Sequence, residues 1–320
     1  MVRLLGIALA LLAFAASLES RAQSYPVKPI HLIVPGTPGG DSDLLARMVS
    51  QKAGSTLGQP VVVENRTGAY GIIGAELLAH SAPDGYTLLL GNGGTNVANL
   101  FLHKNLPYDP VKDFAPITGG IESIMCIAAN PAAGFSSIRE FIDHAKRNPG
   151  KLTYASSGSG GSYYLAGEAF QAMTGTRIMH VPYKGLSQAM NDLVAGQVSS
   201  AFTNVTVALP QEKAGKVRIL AVLMANRYSG LPSVPTVNEV VPGFRPVAIW
   251  NGFFGRAGMP AAAVARLNAE FNKAMNSPEV SSKMDAGLLI GGSPEQFAAY
   301  VRDQTEAFAG VAKLLQLKPE

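Results

Sequence analysis

Five segments between His31 and Asn92 constrain the fold of this chain more than any other feature. The apolar runs HLIVP, PVVVEN and YTLLLGN alternate with the longer amphipathic segments DSDLLARMVSQKAGSTLG and GIIGAELLAHS. Short apolar runs separated by helical patterns are the mark of βαβ units, because parallel strands need a crossover long enough to hold a helix. The same alternation resumes in SIREFIDHAKRNP, KLTYASS, YYLAGEAFQAMTG, RIMHVPY, GLSQAMNDLVAG, QVSSAFTN and VRILAVL. An α/β fold of two lobes is therefore expected, each a mainly parallel sheet flanked by helices. Residues 23–122 plus 246–320 make lobe 1, and 123–245 make lobe 2, inserted in it. The Pro- and Gly-rich stretch PTVNEVVPGFRPVAIWNGFFGRAGMP reads as the return crossing between them. Two closing helices, PAAAVARLNAEFNKAMNS and PEQFAAYVRDQTEAFAGVAKLL, are expected to pack back on lobe 1.

Glycine gathers where strand patterns give way to helix patterns. From Ser156 to Ser162 the chain is serine and glycine alone, directly before a helical pattern. A helix begins with backbone N–H groups that have no partner inside it, and its dipole places roughly half a positive charge there. Glycine leaves these donors open to a ligand, so the stretch has the makings of an anion cradle; it also reads as a loop with Ser162 as an ordinary N-cap. VPGTPGGDSD and NRTGAYGIIGAE repeat the arrangement after the first and second strands. Open α/β sheets bind ligands at the carboxyl ends of their strands. Three such turns facing one another would clamp a small acid.

Other features limit compartment and chemistry. Arg3, the apolar run from Leu4 to Ala16 and the small residues Ser20 and Ala22 read as a cleaved secretory signal over residues 1–22, with export to a bacterial periplasm. A lone Cys126, in the apolar run IMCIAAN, reads as a buried structural thiol. With 47% hydrophobic and 15% charged residues the chain is globular, and its net charge of +4 is spread without the basic block that nucleic-acid binding uses. No G-x-G-x-x-G, G-K-[ST] or G-x-S-x-G motif stands at the glycine-rich turns. The five histidines are scattered, without metal-ligand spacing, and His180 reads as a packed or hydrogen-bonded side chain. No enzyme, cofactor, metal or nucleic-acid partner is expected.

Several segments together resemble the Bug family of periplasmic solute-binding proteins, TctC-like receptors of tripartite tricarboxylate transporters. They are YPVKPIHLIVPGTPGGDSDLLAR, LGQPVVVENRTGAYGIIGAE, APDGYTLLLGN, LPYDPVKDFAPIT, NPGKLTYASSGSGGS, HVPYKG and LPSVPTVNE. The resemblance implies a Venus-flytrap fold and a monomer that carries a small carboxylate to membrane permease subunits. It places ligand contacts at Gly36, Thr37, Gly39, Gly40 and Asp43, at Ala69, Tyr70 and Gly71, and at Ser157, Gly158 and Ser162. Tyr183, Lys184 and Asn204 come towards the cleft at later strand ends. A ligand-presenting sensory module and a periplasmic hydrolase remain as alternatives.

The chain departs from the family pattern around these loops. Gly36 replaces an aromatic residue, Asp41 a small one, Tyr70 a glycine and Tyr164 a histidine. Asp41 reads as an N-cap for the helix from Ser42 or as a ligand contact that would welcome an amine. Tyr164 is expected to point inward and Tyr163 into lobe packing. Together with Tyr70 they suggest an aromatic acid as ligand.

Overall fold

The computed structural model describes residues 25–159, 161–245, 247–282 and 287–319; the expected signal segment lies outside them. The chain enters through β1 (Ile30–Val34), α1 (Asp41–Leu57), β2 (Val61–Asn65), α2 (Ile72–Ala79), β3 (Thr87–Asn92), α3 (Asn99–Leu102) and β4 (Phe114–Ser123). It then builds β5 (Met125–Ala129), α4 (Ile138–Arg147), β6 (Thr153–Ser156), α5 (Ser162–Thr174), β7 (Met179–Pro182), α6 (Leu186–Val194), β8 (Ser200–Asn204), α7 (Val205–Lys213) and β9 (Arg218–Val222). It returns through β10 (Ile249–Arg256), α8 (Ala261–Met275), α9 (Pro278–Ser281), β11 (Gly287–Gly291) and α10 (Pro294–Leu314).

Two sheets result, ordered β11-β4-β10-β3-β1-β2 and β7-β6-β8-β5-β9. β1 is buried at Ile30, Leu32, Ile33 and Val34, as a strand covered on both faces must be. It pairs in parallel with β2 (Leu32 opposite Val63) and β3 (Leu32 opposite Leu88). α1 covers it with Leu45, Ala46, Val49, Ala53 and Leu57, an apolar stripe at helical spacing.

Both sheets are mixed. Among the described strands β10 and β11 run against the other four of their sheet, and β5 against the other four of its own. The reversal has a local cause. The chain steps from β4 directly into β5 of the other sheet, and with no helical crossover leading into it β5 is not bound to run parallel to its new neighbours. The return segment is also more than a connection, because β10 lies inside the first sheet between β3 and β4.

One apolar cluster runs through both lobes, from Trp250, Phe254 and Phe297 in the first to Phe141, Phe170 and Phe202 in the second. Each lobe has a further cluster on the other face of its sheet. α8 packs on α1 and β4, as expected of a closing helix, whereas α10 packs on β4 and also reaches α5 of the second lobe.

Candidate ligand-binding cleft

Strand direction decides where the loops meet. β1, β2, β3 and β4 end at one edge of the first sheet, where β10 and β11 begin; Gly287 pairs with Ser123 there. In the second sheet β6, β7, β8 and β9 end where β5 begins, with Asn204 opposite Met125. Residues from these two edges line one cleft of 670 Å³. Lobe 1 contributes Asp41, Ser42, Leu44 and Leu45 of α1, then Asn92, Gly93 and Gly94 after β3. Ile121 and Ser123 of β4, the segment Ala248–Asn251 and Gly287 complete that wall. Lobe 2 contributes Ser162, Leu186, Asn204, Thr206 and Val207.

Three helices open on this cleft with bare starts. Gly40 before α1, Gly161 before α5 and Gly185 before α6 hold extended N-cap geometry and supply no side-chain cap. The first N–H groups of these helices are left for an outside acceptor. α7 differs, since the Asn204 side chain caps it by accepting from Val207 N at 3.0 Å. The turn after β3 is locked by Asn92, whose Oδ1 accepts from Gly94 N at 2.8 Å and Thr95 N at 3.0 Å. It continues as a wide π-helical turn, Gly94–Ala98, a form often found at functional sites.

The residues expected from sequence fall into three groups. Ser162 and Asn204 stand on the cleft wall, and so does Asp41. Neither Asp41 nor Ser162 is an N-cap; each is the first residue of its helix, with glycine in the capping place because the chain turns there. Asp43 lies beneath the first loop, buried, its carboxylate accepting from Gly39 N, Arg47 Nε and Asn65 Nδ2, each at 2.9 Å. Hydrogen bonding from Arg47 is the main cause that holds this carboxyl down to about 2. Gly36 is tied to the same group by its carbonyl, which accepts from Asn65 Nδ2 at 3.0 Å. Thr37 and Gly40 close the turn through Gly40 N and Thr37 O at 3.2 Å.

The third group lies away from the wall. Ala69 and Tyr70 hold positive φ, and the Tyr70 ring is 84% exposed, 6.2 Å from His103. Gly71 is required where it stands. A Cβ there would come within 2.6 Å of Thr95, so the second loop interlocks with the turn after β3. Gly158, at φ +122°, receives a hydrogen bond on its carbonyl from Ser156 Oγ at 3.0 Å, while Ser157 beside it is exposed. Tyr183 donates to Asp192 at 2.7 Å; burial first, then Asp192, pushes its hydroxyl up to about 12. Lys184 is exposed.

Of the two tyrosines of α5, Tyr163 packs into the lobe as expected, while Tyr164 does not reach the cleft wall. Tyr163 is buried, its hydroxyl bonded to Asn204 on the cleft wall, and the Tyr164 ring lies tilted against His180 at 4.8 Å between centroids. His180 also meets Ser156 Oγ at 2.8 Å, and burial lowers its pKa. This serine-histidine contact offers no open nucleophile, because Ser156 is fully buried. Cys126 is buried and free. Among the described residues no group of three or more His, Cys, Asp or Glu could hold a metal, and no helix is long and apolar enough to cross a membrane.

Sequence reasoning missed Asn92, Gly93, Gly94, Trp250 and Asn251. GNGG after the third strand was a further glycine-rich turn that could have drawn attention. Trp250, the sole tryptophan, lay hidden in what read as a connection.

Two α/β lobes joined by two crossings, with strand ends and bare helix starts facing one cleft, define a two-lobed solute-binding protein. The sequence matches the tripartite tricarboxylate transporter family receptor over residues 45–313, and the chain belongs to that family. It is 33% identical to protein BugT of Bordetella pertussis over 317 residues, covering 98% of this chain and 96% of that protein. It is similar in structure to R. palustris Rpa4515 with adipate, at TM-score 0.74 and 31% identity, covering 92% of this chain and 100% of that one. MatC from Rhodopseudomonas palustris with bound malate gives TM-score 0.70 and 31% identity, covering 90% of this chain and 99% of that one.

Proposed function

We propose that this protein captures a small carboxylate between its lobes in the periplasm and delivers it to the membrane subunits of a tripartite tricarboxylate transporter, without catalysis. The observation that carries this reading is the convergence of the glycine-capped starts of α1, α5 and α6 on one cleft. A micromolar dissociation constant corresponds to about −8 kcal/mol. Hydrogen bonds to a charged group contribute roughly 1.5 to 3 kcal/mol each, so a few backbone donors reach that range after the cost of association. The adipate- and malate-bound relatives support an acidic ligand. At 670 Å³, with Trp250 on its wall, the cleft is roomy enough for an aromatic acid as well.

A thermal-shift screen of aliphatic diacids, aromatic acids and amino acids tests the proposal. A binder present at 100 times its dissociation constant adds about 2.7 kcal/mol to stability, an easily measured shift. Stabilisation by neutral sugars alone would refute it.

A further inference from the structure

We propose that the cleft selects acids that also carry an ammonium group, and that Asp41 is the residue that reads it. The proposal rests on the carboxylate-binding reading and adds the second charge of the ligand. Asp41 is the sole ionisable residue among the described residues that line the cleft, with no lysine, arginine or histidine beside it. Its carboxylate is exposed and makes no hydrogen bond or ion pair among the described residues. Asp43, two residues further on, accepts from three donors, one of them its paired Arg47, so the contrast within one turn is sharp.

Asp41 also looks across the cleft. It shares the cleft with Ser162, the first residue of α5 on the second lobe, so an approach of the lobes would bring the two together. A carboxylate shut in a closing cleft loses water and needs a counter-charge. A second carboxylate on the ligand would raise that cost, while an ammonium removes it.

The donors for the acid end are separate from Asp41. Trp250 is 3% exposed, yet its indole N–H finds no acceptor among the described residues. It sits on the cleft wall beside Gly93, where a Cβ would stand 3.4 Å from Nε1. An indole N–H on the cleft wall with no protein acceptor is a donor that a ligand oxygen would meet. Unmet donors and one unmet carboxylate in a single cleft fit a zwitterion better than a diacid. An acidic residue in the first turn also suits the helix dipole, but that role is independent of which ligand is bound, and this separates the two explanations.

Calorimetry on the purified protein with matched pairs decides: glutarate against glutamate, adipate against 2-aminoadipate, phenylacetate against phenylalanine. In at least one pair the amino acid should bind about tenfold tighter, more than an exposed ion pair gives because closure excludes water. Asp41→Asn should abolish that preference, weakening the amino acid and relieving the repulsion felt by the plain acid, and Asp41→Lys should reverse it. Plain acids binding as tightly as their amino partners, or a preference that survives Asp41→Asn, would overturn the proposal and leave the carboxylate reading intact. Failure of every member of every pair to bind would overturn both.

Discussion

Asp43 shows how a single carboxylate can shape a site it does not line. Three donors from the first loop, α1 and β2 converge on it, and Asn65 passes the restraint on to the Gly36 carbonyl. Asp43→Ala leaves these donors unpaired in a buried place, so it should lower the unfolding free energy by roughly 1.5 to 3 kcal/mol at neutral pH. The pH dependence has a fixed sign. The folded value, about 2, lies below the ordinary carboxylate value, so the contribution is present above that ordinary value and fades as pH falls through the folded one. Urea unfolding of both proteins between neutral pH and pH ~2 measures this. A gap that stays constant across the series would remove the carboxylate from the account.

At the level of elements, the long helices other than α7 and the parallel strands of each sheet's core were legible because their periodicity is local. β4, β5, β10 and β11 were not, since they are held by partners distant in sequence. β10 lies in a Pro- and Gly-rich stretch, and β4 carries Pro116 with Gly119 and Gly120, residues that argue against a strand. Yet a Cβ at Gly120 would stand 2.2 Å from Asn251 Oδ1, so the glycine is what lets β4 and β10 approach. α7 holds Pro210 in its interior, which propensity alone would refuse. The site was legible in the same uneven way: Ser162 stands at a strand-to-helix turn that glycine advertises, Asn204 was reached only through the family resemblance, and Asn92 and Trp250 depend on sheet order. The bare helix start at Gly161 can be tested directly. The residue has extended geometry, and a Cβ there meets nothing within 4 Å, so Gly161→Asp fits without strain. Aspartate would cap α5 with its own carboxylate, adding a few tenths of a kcal/mol. The same charge should weaken acid binding at least about tenfold, an effect of about 1.4 kcal/mol. Calorimetry showing unchanged affinity in a folded variant would remove α5 from the cradle.

Across the whole molecule, α10 ties the two crossings together. Tyr300 donates to Glu122 Oε2 at 2.7 Å just before β4 ends, Gln304 Oε1 accepts from Ala248 N at 3.1 Å, and Arg245 pairs with Asp303. Burial raises the Glu122 pKa, and Asp303 adds to the effect. A raised folded value means that this group contributes stability below its ordinary pKa and loses it as pH rises through the folded one. Glu122→Gln keeps an acceptor for Tyr300, so its stability relative to the parent should grow from acid to neutral pH, and thermal unfolding across that range measures it. The same junction is where a hinge is expected. Among the described elements, the steps from Ser123 to Met125 and from Val222 to Ile249 join the two sheets, while the donors that would hold a ligand are divided between both lobes. A small molecule is buried by both walls only if the lobes approach, with differential contacts in the closed form shifting the population. Small-angle scattering should therefore show a smaller radius of gyration with saturating ligand. The Glu122→Gln variant should close as the parent does, because its contact with Tyr300 is retained. A radius of gyration that does not change at saturation, with binding confirmed by calorimetry, would mean that the cleft is preformed and that the lobes move as one body.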